Sequence, residues 1–340
     1  MTQQTGNKAA EQSAGTILVT GAAGYIGGAL LDHLASCHAH ASVRSLDAFL
    51  YGNAPADTGQ TDAIHIQWGD IRDRATVREA MTGIDSVVHL AAIVGDPACA
   101  LLPDLAQAVN VDATALLLES ARAAGVRRFV FASTCSVYGA SGTEITEDSP
   151  LNPVSLYART KIEAERLVLA ADSAEMRTTV LRFATLYGLA PRLRFDLVAN
   201  LLAARAARRM PISIQGGQNW RPFLHVADAA AAIVHMLAAN DPSAGIFNVG
   251  APGENYQLAD LGRLIASLVP DTDLAISDDP TDHRSYHVNV DRFAATGFRP
   301  RWTLAAGLRE LIDYLRHHPE IAIDDPHWSN IAWLQKSHHA

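Results

Sequence analysis

The chain has 340 residues, 49% hydrophobic and 19% charged, enough to bury a large core as two domains or as one domain with an appended lobe. A formal net charge of -9 leaves no basic footprint for nucleic acid or for an anionic membrane surface, and no apolar run is long enough to read as a membrane span. Cys37, Cys99 and Cys135 form no CxxC, which argues against a disulfide framework, and the polar opening segment lacks the apolar core of a signal peptide, so a cytoplasmic protein is expected.

Residues 1–14 read as a disordered tail. The β-branched run Thr16–Thr20 then leads into Gly21-Ala22-Ala23-Gly24-Tyr25-Ile26-Gly27, and Ala29–Leu34 has helical spacing. Strand, glycine turn and helix in that order suit a dinucleotide. Gly21 makes the turn, Gly24 lets backbone approach a pyrophosphate, Gly27 packs helix on strand, and the helix start offers free N–H groups to an anion. The next strand, Ala41–Leu46, ends at Asp47, whose carboxylate can accept the adenosine ribose hydroxyls and repel a 2′-phosphate. That favours NAD, although Arg44 nearby keeps NADP open.

Ile64–Trp68 reads as a third strand before Gly69-Asp70-Ile71, and Ser86–Ala92 as a fourth in which Leu90 leads to the small residues Ala91-Ala92. A helix over 104–124, a fifth strand over 127–132 and a helix over 157–171 continue the alternation. Such alternation predicts an α/β fold with a Rossmann-type doubly wound parallel sheet, whose ligands gather at the carboxyl ends of the strands. There Ser133-Thr134-Cys135-Ser136 can meet Tyr157. Four residues separate Tyr157 from Lys161, so the two share a helix face, and the ammonium is expected to lower the phenol pKa.

Taken together, Gly21-x-x-Gly24-x-x-Gly27, Asp47, Gly69-Asp70-Ile71, His89-Leu90-Ala91-Ala92, Thr134 with Val137-Tyr138-Gly139, and Tyr157-x-x-x-Lys161 resemble the extended short-chain dehydrogenase/reductases. More narrowly, the chain is similar to the NAD-dependent epimerase/dehydratase branch acting on nucleotide sugars, from about residue 16 to 315. The resemblance implies a dinucleotide-binding domain over 15–175 with a returning strand near 178–183, a smaller α/β substrate lobe over 184–316, and a tail over 317–340. NAD would lie on Gly21, Gly24, Tyr25, Ile26, Gly27, Asp47, Asp70, Ile71, Leu90, Ala91, Ala92, Asn110, Tyr157 and Lys161. Thr134, Tyr157 and Lys161 would be catalytic, and a homodimer would form through the helices near 104–124 and 157–171.

Thr134, Ser136, Thr185, Arg194, Arg221 and Arg284 are the implied substrate contacts. Arg221 in Arg221-Pro222-Phe223-Leu224-His225-Val226-Ala227-Asp228 and Arg284 match the family's diphosphate arginines, a task suited to a planar guanidinium. Thr185 replaces the asparagine usual in UDP-galactose 4-epimerases, whereas Pro191-Arg192-Leu193-Arg194-Phe195-Asp196 resembles a stretch of UDP-glucuronate 4-epimerases in which an arginine meets the sugar carboxylate. No Asp-Glu pair follows Thr134, as one does in sugar 4,6-dehydratases. The expected activity is therefore NAD-dependent 4-epimerisation of a UDP-hexose or UDP-glucuronate. The alternatives are a 4-keto-sugar reductase and a non-catalytic dinucleotide sensor. His317, His318, His327, His338 and His339 have irregular spacing and read as a solvated tail without a metal, and Cys135 reads as a packing residue.

Overall fold

The computed structural model describes residues 15–36, 42–52, 64–239, 245–279 and 284–338. The expected tail over 1–14, together with Cys37, Ala41 and His339, lies outside them. In chain order the strands are β1 (Ile17–Thr20), β2 (Val43–Asp47), β3 (Ile64–Trp68), β4 (Ser86–His89), β5 (Arg128–Thr134), β6 (Ala140–Ile145), β7 (Arg177–Phe183), β8 (Thr185–Tyr187), β9 (Ile212–Gln215), β10 (Trp220–His225), β11 (Gly245–Val249), β12 (Asn255–Gln257), β13 (Leu274–Ser277) and β14 (Ser285–Val288).

Seven of them form one parallel sheet in the order β11-β7-β5-β4-β1-β2-β3. All four residues of β1 are buried, as a central parallel strand with helices on both faces requires. On one face Leu30, Leu31 and Leu34 of the helix Tyr25–Ser36 pack with Ala229 and Ile233 of the helix Val226–Ala238. On the other, Leu117, Ala164 and Val168 cover Leu18, Val87 and Phe129. The order of the strands reverses between β1 and β4, and a crevice opens at their carboxyl ends, where such sheets bind ligands. The remaining strands pair in small sheets, and a separate lobe core forms around Leu202, Phe223, Leu261, Leu308 and Leu311.

One expectation is refined and one corrected. The helix expected over 104–124 is present but not α-helical throughout: Pro103–Gln107, a π turn over Ala108–Asp112 and Ala113–Ala123 follow one another without a gap, and a separate short helix, Asp96–Leu101, precedes them. Pro103 cannot continue a helix that precedes it but suits the first turn of a new one. Nor is the C-terminal segment a solvated tail: a short turn, Pro326–Trp328, and a helix, Asn330–His338, pack on the main body. Leu334 is buried against Ile93, Ala98, Cys99 and Ala106, and the Trp333 indole donates to the Leu50 carbonyl at 2.6 Å. Among the described residues no group of three His, Cys, Asp or Glu side chains is placed to hold a metal ion.

Two buried histidines make the fold acid-sensitive. His89 lies between the Thr20 and Thr114 hydroxyls at 2.8 and 2.9 Å, and burial pushes its pKa down to about 3. His225 stacks on Trp302 at 4.3 Å, and burial pushes it down to about 4. Both are neutral in the folded chain between pH 4 and the ordinary histidine value of 6.5, whereas the unfolded chain binds protons there. Their contribution is therefore complete above that value and is lost as the pH falls. Urea unfolding between pH 7 and pH 4.5 is expected to show this loss. Replacing either histidine by glutamine should flatten the slope by about 1.4 kcal/mol per pH unit, and an unchanged slope would refute the assignment.

Candidate active site

A cleft of about 740 Å³ runs along the carboxyl ends of the sheet, between it and the lobe. Gly21 ends β1 with φ of +76°, and a Cβ there would lie 2.6 Å from the Ala91 nitrogen. The turn closes through Gly24 N–H donating to the Gly21 carbonyl at 3.1 Å, and the helix beginning at Tyr25 aims its N-terminus into the cleft. Asp47 accepts from the backbone N–H groups of Ala23 at 2.9 Å and Phe49 at 2.7 Å. Its carboxyl pKa is nonetheless raised, because burial outweighs those two bonds.

Ile26, Gly27, Ile71, Leu90, Ala91 and Ala92 line the same half of the cleft. Asp70 lines it too, but its carboxylate is engaged by Arg72 at 2.5 Å. The Tyr25 hydroxyl donates to the Gly188 carbonyl at 2.6 Å and so ties the turn to the lobe. Asn110 is not in the cleft wall. It is buried behind it in the π turn, where it holds both the N–H and the C=O of Ile93, at 2.8 and 3.0 Å, and reaches Thr160 at 3.0 Å. That makes it a brace between the loop after β4 and the helix bearing Tyr157.

Ser155 caps the helix Leu156–Ala170 by accepting from Ala158 N–H at 3.2 Å, which sets Tyr157 in the first turn and Lys161 one turn later. Thr134 ends β5. Its hydroxyl accepts from Ser136 N–H at 3.1 Å, lies 2.8 Å from the Ser136 hydroxyl, and is near enough to the Tyr157 phenol to oppose the rise in its pKa. Thr134, Ser136, Tyr157 and Lys161 all line the cleft, whereas Cys135 is buried, with its thiol on the Arg182 carbonyl at 3.3 Å.

The expected electrostatics of the pair are corrected. Burial raises the Tyr157 pKa well above the usual phenol value, with Cys99 and Asp96 adding to it, and Arg194 and the Thr134 hydroxyl only partly oppose the rise. Lys161 is itself 3% exposed, lies 4.0 Å above the Phe131 ring, and is pushed down to about 7 by burial, against the pull of Glu165. The helix sets both groups in the cleft wall, and for each the loss of water is the largest influence on its pKa.

Toward the lobe the cleft is lined by Thr185, Arg194, Arg221 and Arg284. Arg194 is held in a two-bond ion pair with Asp196 at 2.6 and 2.9 Å, leaving one terminal nitrogen outside that fork. Arg221 donates to the Trp220 carbonyl at 2.8 Å and to the Arg284 carbonyl, and Arg284 pairs with Asp96 at 3.2 Å. Sequence reasoning passed over Asp96, Arg192, Tyr286 and Asn330, which also line the cleft. Arg192 was visible in the Pro-Arg-x-Arg stretch, whereas Asn330 carried no motif.

The model of the NAD dependent epimerase/dehydratase family matches residues 17–250. The chain belongs to this family. MoeE5, solved in complex with UDP-glucuronic acid and NAD, is 31% identical with a TM-score of 0.79, over 89% of this chain and all of that one. UDP-glucuronic acid 4-epimerase from Bacillus cereus, solved with UDP-glucuronic acid and NAD, is 25% identical with a TM-score of 0.80, over 89% of this chain and 99% of that one. A dTDP-glucose 4,6-dehydratase of Mycolicibacterium smegmatis is 30% identical over 314 residues, 88% of this chain and 93% of the relative. As a family member the chain is an enzyme that uses NAD, and its residues fit that cofactor: the turn leaves no room for a Cβ at Gly21 or Gly27, a helix N-terminus faces the cleft, and the Asp47 carboxylate stands at the β2 end.

Proposed function

We propose that this enzyme is a nucleotide-sugar 4-epimerase acting on a UDP-hexose, with UDP-glucuronate as the favoured substrate. The observation carrying this reading is a single proton-transfer group, Tyr157, lining the cleft together with Thr134, with Cys135 and Ser136 where elimination of water would need a carboxylate pair. NAD, when bound, supplies the hydride acceptor. Tyr157 would act as the phenolate, which the positive charge of a bound nicotinamide ring would favour against the burial that raises its pKa, taking the proton of the sugar 4-hydroxyl and returning it while Thr134 hydrogen-bonds the same oxygen. Lys161, balanced between charged and neutral near pH 7, sets the charge beside the phenol. Arg221 and Arg284 anchor the nucleotide diphosphate while the 4-keto sugar turns to present its other face; Arg284 exchanges Asp96 for phosphate oxygens.

Arg194 meets the sugar carboxylate with the terminal nitrogen outside its Asp196 fork, and Thr185 and Ser136 contact the sugar. Support comes from MoeE5 and the Bacillus cereus epimerase, both solved with UDP-glucuronic acid. Incubation with UDP-, dTDP-, GDP- and CDP-sugars and catalytic NAD, with products read by NMR, tests the reading. C4 epimers with no net change in nicotinamide absorbance are expected; a 4-keto-6-deoxy product would mean a dehydratase, and stoichiometric consumption of reduced cofactor a reductase. Arg194→Ala should lower turnover of UDP-glucuronate about 10- to 100-fold, the worth of a charge-assisted pair, and that of UDP-glucose far less. Equal losses would remove the carboxylate role.

A further inference from the structure

Three buried polar atoms around one part of the cleft have no hydrogen-bond partner: Arg192 Nε, Asn330 Oδ1 and the Tyr51 hydroxyl. Arg192 is 4% exposed and Asn330 2% exposed, and an unpaired donor or acceptor so buried costs free energy unless a ligand satisfies it. Their position is set by neighbours of known place. Pro191 lies over the glycine helix, its ring 3.1 Å from where a Gly28 Cβ would stand. The Arg192 guanidinium stacks on the Tyr51 ring at 4.3 Å, and the charge of Asp47 acts on it. Arg192 and Tyr51 thus stand on the Asp47 side of the dinucleotide site, and Asn330, whose side-chain amide donates to the Val94 carbonyl at 3.3 Å, beside the loop after β4.

The C-terminal segment holds these groups there. Arg192 donates to the His327 carbonyl at 3.1 Å, Phe195 N–H donates to the Trp328 carbonyl at 2.7 Å, Asn330 N–H donates to Asp196 at 3.0 Å, and Trp333 holds Leu50 beside Tyr51. The geometry points to a cofactor clamp in which Arg192 donates through Nε to the NAD diphosphate, Asn330 Oδ1 accepts from a ribose hydroxyl, and the segment 326–338 fastens both over the cofactor. An arginine placed here has donors only, so its partner must be an acceptor, and the diphosphate beside a helix N-terminus supplies one with opposite charge.

The test uses full-length protein stripped of nucleotide, with NAD, ADP and adenosine as probes in calorimetry and UDP as a probe of the NAD-loaded protein. Arg192→Ala is expected to raise Kd for NAD and ADP about 10- to 100-fold and to leave adenosine within about twofold. Asn330→Ala should raise Kd for NAD about 3- to 10-fold, and Trp333→Ala, which touches no ligand, should speed NAD release by about the same factor. UDP binding should be unchanged in all three. Equal losses for adenosine and ADP in Arg192→Ala, a loss confined to UDP, or unaltered NAD affinity would each overturn the clamp.

Discussion

Tyr157→Phe is expected to lower kcat about 10²- to 10⁴-fold, the usual worth of a positioned acid–base group, while NAD content and Kd for UDP stay near those of the parent enzyme. The phenyl ring keeps the packing, and only the hydroxyl that faces the cleft with Thr134 is lost. The split between intact binding and lost turnover is the signature of a group that acts only in the transition state. It is read from NMR rates of C4 inversion alongside nucleotide released on denaturation. Turnover within about tenfold of the parent would place the proton transfer elsewhere, the Thr134–Ser136 hydroxyl pair being the next candidate by position.

What was legible in the sequence was local. The glycine turn and the Tyr157–Lys161 spacing are chemical patterns a few residues long, and the alternation of strands and helices fixes a parallel sheet without any long-range contact being known. What escaped depends on residues far apart in the chain. The helix Asn330–His338 gains its place from Asn330 on the Val94 carbonyl, 236 positions away, and from Trp333 on Leu50, 283 away, so no pattern within 317–340 announced it. Burial is also a tertiary quantity. Spacing put Tyr157 and Lys161 on one helix, and both line the cleft, yet the direction of the phenol shift followed desolvation, which no local motif encodes. Likewise Arg192 and Arg194 look equivalent in sequence. Only the fold shows that Asp196 engages one by a two-bond fork and leaves the Nε of the other bare.

The glycine turn permits a sharper experiment, because Gly24 and Gly27 are confined by different things. A Cβ on Gly27 would overlap the Gly21 carbonyl oxygen and lie 2.6 Å from both the Cα and the carbonyl oxygen of Ala22. These are backbone atoms of the turn itself, with no flexible side chain to yield. Gly27→Ala must open the turn or push the helix off β1, at a cost of about 1–3 kcal/mol in stability, and the helix N-terminus that faces the diphosphate moves with it. A Cβ on Gly24 has the Gly21 carbonyl oxygen at 3.1 Å as its one close neighbour, so the protein alone nearly accommodates it. There the methyl would stand where NAD approaches the backbone. Gly24→Ala should thus unfold within about 1 kcal/mol of the parent yet bind NAD about tenfold or more weakly, the loss of one charge-assisted bond. Gly27→Ala should lose both stability and affinity, by urea unfolding and calorimetric NAD titration. Were Gly24→Ala as destabilised as Gly27→Ala, or were its NAD affinity intact, the division of labour within the turn would be wrong.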